Sequence, residues 1–309
     1  MYLEYTVELT NSAKIMKKIT EQFCFGVLMF LFIGFVQATE NPFKKYYYYA
    51  NLSSAAYMDK RDIVKIVEES GETLIHYDVI PAIEVGYFLT MNKSNKKQTL
   101  VVRGTANVEN AVVDAAHKLV TNNMLEIKLH EGFSTAAQKI YHAVKPHLLP
   151  NFTISTTGHS LGGAVAVILS MKLQQNKFLL ADTVTFGQPK VTNISGVSQF
   201  ESINVIRLVT PKDLVPLVPP FDAMDVNNLD IYWHLGTEII LFPGEEYAEI
   251  RGLKSMLRAT DIVSDRIDER NIAHHQMSLY LQLIEEKIGN ARLVPYKNSL
   301  DILNIFNRK

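Results

Sequence analysis

Apolar and polar positions alternate along this chain with two different periods, and short polar clusters separate the segments. Residues 44–59, rich in tyrosine and alanine, read as a helix laid on a sheet. Residues 74–79 and 84–91 read as strands; 92–97 is a polar turn cluster; 99–103 is a short buried strand that completes a hairpin. Residues 131–149 form an amphipathic helix ended by Pro150. Residues 152–157 are rich in β-branched side chains and suit a strand. Residues 161–175 are almost wholly apolar until Lys172 and suit a buried helix. Two more buried strands follow at 183–186 and 204–209, then an amphipathic helix at 277–288. Strands alternating with helices predict an α/β fold: a mostly parallel central sheet with helices on both faces. Reactive groups in such sheets gather on loops at the carboxyl ends of the strands.

The joint between the 152–157 strand and the 161–175 helix carries the sharpest chemistry. It reads Gly158-His159-Ser160-Leu161-Gly162. A strand that turns sharply into a helix with a serine at its tip is a nucleophile elbow. Glycines two residues on either side relieve the crowding of such a turn because they lack Cβ. The new helix points its unpaired N–H groups and positive dipole end at the reacting oxygen, which makes the Leu161 N–H an oxyanion donor.

A serine hydroxyl needs a base to take its proton, and the base needs a carboxylate to fix its tautomer. The acid is expected just past a later core strand, and Asp213 follows the strand at 204–209 through Thr210-Pro211-Lys212. Capping of the turn before Leu214-Val215-Pro216 is the competing role for Asp213. Asp222, Asp225 and Asp230 are the nearest rivals, and none directly follows a strand-like run. Of nine histidines, only His234, His274 and His275 come late enough to be the base. His234 lies in the aromatic stretch Tyr232-Trp233-His234-Leu235, where a packed, hydrogen-bonded role is expected. Spacing does not separate His274 from His275. A second oxyanion donor belongs on a loop after an early strand, and Gly104-Thr105 follows the strand at 99–103.

Composition narrows the setting. The chain has 309 residues and a formal net charge of −1, which fits one large α/β domain and gives no basic stripe for nucleic acid. Residues 23–36 form an uncharged apolar run of signal-peptide length, with Lys17 and Lys18 before it and Val36-Gln37-Ala38 as small residues at a cleavage-site spacing. Met16 is a natural start for that segment. An uncleaved membrane anchor through 23–36 is the alternative. The single cysteine, Cys24, lies inside this run, so the processed chain would have no disulfide. The expected organisation is an N-terminal extension and signal peptide over 1–38, a domain over 39–289 and a tail over 290–309, with export to the outside or periplasm.

Taken together, these residues resemble the class 3 (fungal-type) lipase family of α/β-hydrolases. Val102-Arg103-Gly104-Thr105 is similar to the family's oxyanion segment, with Asp114 at its usual distance beyond, and His130-Glu131-Gly132-Phe133 to its His-x-Gly-Phe block. Gly158 to Ala164, Thr185 to Val191 and Val209 to Pro216 resemble its elbow, a following block and its acid block. Trp233 to Glu238 resembles a His-x-Gly-x-Glu segment that is not catalytic in the family. His275-Gln276-Met277-Ser278-Leu279-Tyr280-Leu281 resembles the block in which the catalytic histidine precedes a Tyr-Leu pair, which favours His275.

The resemblance implies an α/β-hydrolase fold and hydrolysis of carboxylic esters of lipids by Ser160, Asp213 and His275. Thr105 and Leu161 would form the oxyanion hole, and neither a metal nor a cofactor is needed. Phospholipase A1 or acyl-transfer activity is the near alternative, and an inactive lipid- or partner-binding member the remote one. The expected partners are an ester substrate and, transiently, a lipid surface; the oligomeric state is left open. The segment 106–125 lies where lipases carry a lid, and its apolar content fits a lid helix or an ordinary packed helix equally. Ala111 stands where many members carry tryptophan, and the tail lies outside the resemblance.

Overall fold

The computed structural model describes residues 41–81, 85–105, 119–219, 231–258 and 269–296. The expected signal segment, Cys24, Ala111, Asp114, Asp222, Asp225, Asp230 and the end of the tail lie outside these residues.

The first helix, α1 (Pro42–Ala55), starts where Asn41 accepts the Phe43 N–H at 2.9 Å, with proline at the first helical position. Asp59 caps α2 (Lys60–Glu69) by accepting from the amides of Arg61 and Asp62. Three strands follow, β1 (Thr73–Ile80), β2 (Val85–Asn92) and β3 (Lys97–Val102), paired antiparallel as a meander. After β4 (Leu119–Asn122) and β5 (Ile127–His130) comes α3 (Glu131–Val144), which begins where the His130 ring accepts the Phe133 N–H.

The core then runs β6 (Thr153–His159), α4 (Leu161–Gln175), β7 (Leu179–Phe186), β8 (Thr192–Asn193), α5 (Ile194–Gln199) and β9 (Val205–Val209). Beyond it lie β10 (Tyr232–Trp233), β11 (Thr237–Leu241), β12 (Glu246–Arg251), α6 (Leu253–Arg258), α7 (Glu269–His274), α8 (Met277–Glu285) and β13 (Arg292–Leu293). The main sheet has the order β1-β2-β3-β6-β7-β9-β11-β12-β13, and β10-β8-β5-β4 form a second, smaller sheet. From β3 to β11 every pairing in the main sheet is parallel, as the alternation of strands and helices predicts.

Period-two alternation distributes each strand between two cores. Leu100 and Val102 of β3 pack with α3 and α4, whereas Val101 packs with α1 and α2. Val184 and Phe186 of β7 pack with α1 and α8. Helices therefore cover both faces. Helix α4 lies in the interior from Gly162 to Leu173, which explains a run with no polar face.

Two expectations change. Residues 119–122 of the segment read as helical form β4, paired antiparallel with β5, and Leu125 in the following turn is buried. Leu119 and Val120, apolar neighbours that suit a strand as well as a helix, are half-buried in it. The C-terminal helix stops at Glu285 rather than Ile288, because the Lys287 ammonium binds the carbonyls of Phe242, Gly244 and Leu283 and closes its end. Residues 292–293 of the tail add β13 to the sheet edge beside β12. Among the described residues no helix is long and apolar enough to cross a membrane.

Candidate active site

The parallel register brings the candidate residues to one edge. Val102 of β3 lies opposite Gly158 of β6, His159 opposite Phe186 of β7, and Phe186 opposite Leu208 of β9. The loops after these four strand ends carry Gly104-Thr105, Ser160, Gly187 and Asp213 respectively. A sequence pattern with local punctuation thus becomes a constellation drawn from the whole sheet.

Ser160 has φ 59° and ψ −131°, a conformation that is costly for a residue with a side chain. Its N–H donates to the Phe186 carbonyl at 2.8 Å, which anchors the turn to the next strand. A Cβ at Gly162 would lie 2.2 Å from the Val102 carbonyl, and one at Gly158 2.5 Å from the Gly162 backbone. Both glycines are therefore dictated by backbone packing against β3. Leu161 occupies the first helical position, where its N–H has no acceptor within the helix. A Cβ at Gly104 would lie 3.0 Å from Ser160 Cβ, so the Gly104-Thr105 segment runs directly beside the serine.

His275, between α7 and α8, points Nδ1 at Asp213 Oδ2, 2.8 Å away. The carboxylate oxygen only accepts, so Nδ1 carries the hydrogen and Nε2 is left as the basic nitrogen in the neutral ring. Asp213 Oδ2 also accepts from the Tyr280 hydroxyl at 2.6 Å, and Oδ1 from the Val215 N–H at 2.9 Å. Turn capping and alignment with His275 are thus both performed by one carboxylate. Burial works against its ionisation, but His275 and these hydrogen bonds outweigh burial and hold the Asp213 carboxyl below its ordinary value.

Ser160 is 1 % exposed, and Asp213 and His275 are fully buried. Ser160 Oγ and His275 Nε2 are buried without a hydrogen-bond partner. These are the two atoms that a triad must bring to each other and to a substrate, and loose geometry between them is usual without one. Gly187 links the two halves: with φ +56°, its absent Cβ would lie 2.7 Å from His275 Cε1 and 2.8 Å from Asp213 Oδ2.

The competing residues fall elsewhere. His274 receives a bond from Thr210 Oγ1 on its carbonyl oxygen at 2.9 Å. His234 is buried, with Nε2 2.6 Å from the Pro216 carbonyl, in the packed role its aromatic surroundings suggested. Glu238, of the same motif, pairs with Arg207 at 3.0 Å and contacts Ser255 and Arg258. Sequence reasoning named Tyr280 only within a motif, and missed Tyr57, whose hydroxyl meets His159 Nδ1 at 2.8 Å.

Comparison with known proteins bears on the family and the fold. The family described as Lipase (class 3) matches residues 99–223. A lipase of Rhizopus niveus is 28 % identical over 208 residues, 60 % of this chain and 52 % of the relative. The secreted mono- and diacylglycerol lipase 1 of Fusarium solani is 28 % identical over 159 residues, 48 % of this chain and 47 % of the relative. The chain thus spans about half the length of these curated relatives. The crystal structure of a lipase from Rhizopus microsporus var. chinensis superposes with a TM-score of 0.56 at 25 % identity, covering 66 % of this chain and 75 % of the other. Residues 99–223 thus match the class 3 lipase family, and the likenesses on either side of that stretch support the same family for the chain, which has the α/β-hydrolase fold.

Proposed function

We propose that the protein hydrolyses carboxylic esters of lipids through an acyl-enzyme. The observation that carries this reading is the 2.8 Å bond from His275 Nδ1 to Asp213 Oδ2, beside a serine held at φ 59° at the start of a buried helix. Ser160 Oγ attacks the ester carbonyl carbon while His275 Nε2 takes its proton, and Asp213 orients the ring and stabilises the imidazolium. The N–H groups of Leu161 and Thr105 hold the oxyanion. His275 then protonates the leaving alcohol as the carbon–oxygen bond breaks, leaving the acyl group on Ser160. Water, deprotonated by His275, attacks that acyl group and releases the fatty acid and the free serine.

The lipid ester as substrate is supported by the relatives, which are lipases, and the secreted lipase of Fusarium solani supports export of this chain after loss of residues 1–38. The hydrolase domain is assigned to 39–289 and the tail to 290–309. The sealed serine fits a site that opens on contact with a lipid surface, which would raise turnover above the solubility limit of a substrate. The test is covalent: an organophosphonate should label Ser160 stoichiometrically in the wild type and not in Ser160→Ala. Absence of labelling together with absence of esterase activity in the wild type would overturn the ester-hydrolase reading.

A further inference from the structure

His159 and Tyr57 have no part in the acyl-transfer scheme, yet their polar atoms join three loops of the site. The Tyr57 hydroxyl lies 2.8 Å from His159 Nδ1, and His159 Nε2 lies 2.7 Å from the main-chain carbonyl of His275. A carbonyl only accepts, so Nε2 carries the hydrogen; Nδ1 is then an acceptor, and Tyr57 donates to it. The tautomer is fixed by its partners. The His159 ring also packs on the His275 ring, with centroids 4.4 Å apart and planes tilted by 35°.

The other end of the chain of bonds rests on the oxyanion loop. A Cβ at Gly104 would lie 2.5 Å from the Tyr57 hydroxyl and 2.6 Å from the His159 carbonyl, so the loop backbone is wedged between them. Burial drives the His159 value down to about 3, which keeps the ring neutral in this hydrogen-bonding pattern across the working pH range. Burial pushes the Tyr57 phenol well up, although the Gly104 main chain opposes it.

We infer that Tyr57 and His159 form a strut that sets the distance between the oxyanion donor at Thr105 and the base His275, and that both are positioning residues. Tyr57 follows α1, so the strut ties the active-site edge to a helix that lies outside the 99–223 family match. Its partner lies 102 residues away in sequence. A purely space-filling role would need the aromatic ring but not the hydroxyl.

The inference rests on the ester-hydrolase reading, and the experiment separates the two. Tyr57→Phe removes one oxygen and keeps the ring. With a soluble p-nitrophenyl ester, kcat should fall ~10- to 10²-fold while KM changes less than about twofold, because the loss is one of alignment at the reacting atoms. Organophosphonate labelling of Ser160 should slow in parallel, with the thermal midpoint unchanged. His159→Asn, which keeps one donor and one acceptor, should retain more kcat than His159→Leu. A wild type without hydrolysis or labelling would defeat the underlying reading. An active wild type with Tyr57→Phe kinetics equal to it would overturn the strut alone. So would a Tyr57→Phe loss that merely follows a reduced folded fraction.

Discussion

Two buried carboxylates lie at neighbouring places in the main sheet and do opposite work. Asp213 follows β9, and Glu238 lies in β11, which pairs with β9 in parallel. Burial opposes the charge on each, and close partners overcome burial and hold each below its ordinary value. Glu238 is held by Arg258 and Arg207, cations that do not release a proton in any accessible range, and by Ser255. Asp213 is held by an imidazole whose other nitrogen is unengaged, by a tyrosine and by one amide. The same desolvated charge is therefore a fixed strut in one place and, in the proposed mechanism, half of a proton-handling pair in the other. What distinguishes them is whether the partner can exchange a proton.

The largest expected effect breaks the comparison on the Asp213 side. Asp213→Asn should leave the fold intact and lower kcat by ~10⁴, the loss typical when a triad carboxylate becomes an amide and its histidine adopts the wrong tautomer. Circular dichroism and active-site titration would check it, and a loss under tenfold would deny His275 its orienting partner. Glu238→Gln should do the reverse. It strands two guanidinium groups in the interior, and breaking a buried pair costs ~3–5 kcal/mol. Denaturant midpoints should fall sharply, while kcat of the fraction that stays folded should remain near normal.

Local punctuation made one half of this comparison readable in sequence. Ser160 is framed by glycines that the β3 backbone demands, and Asp213 follows a strand and a proline turn, so spacing alone pointed to both. Spacing did not separate His274 from His275, and only the resemblance of the 275–281 block favoured His275. The physical reason is a bond to Asp213, 62 residues earlier, at the assembled sheet edge. Tyr57 was invisible for the same reason. Helix α2, which buries Ile63 and Val67, is short and otherwise charged, and was not picked out although its apolar positions share one face. The strands β11 and β12 were missed because they take their register from β9 and each other, whereas β6 and α4 announce themselves through residue type. The expected helix over 106–125 failed at 119–122, where half-buried Leu119 and Val120 belong to a strand whose partner β5 is supplied from outside that segment.

An intermediate effect is expected at the residue beneath the acid–base pair. Gly187→Ala places a methyl group where His275 and Asp213 now lie, 2.7 Å and 2.8 Å away, at φ +56°. The left-handed backbone alone costs ~1–2 kcal/mol for a residue with Cβ. Displacing the imidazole by even a fraction of an ångström should lower kcat ~10²-fold. A variant with wild-type kcat and a reduced melting temperature would mean that the pair moves together and that its position relative to Ser160 is not critical.

The smallest effect concerns acid, and it reaches the Glu238 side through His234. Burial, followed by the charges of Arg207 and Lys190, keeps His234 well below its ordinary value of 6.5; burial does the same to His159, down to about 3. Below pH 6.5 the unfolded chain takes up protons that the folded chain refuses, so stability falls as pH falls. Asp213 and Glu238 act in the same direction but later, since their contribution persists until pH drops below their unfolded values of 3.8 and 4.5. The window between pH 6.5 and about 4.5 therefore belongs to the buried histidines. Each unit of acidification there costs at most ~1.4 kcal/mol per histidine. Urea midpoints measured at pH 7, 5.5 and 4.7 should decline steadily, and His234→Gln should flatten part of the decline without altering kcat at pH 7. A flat profile down to pH 4.7 would mean that the cations around Glu238 tolerate a protonated neighbour, and that this region owes its stability to charge pairing without any requirement for a neutral ring.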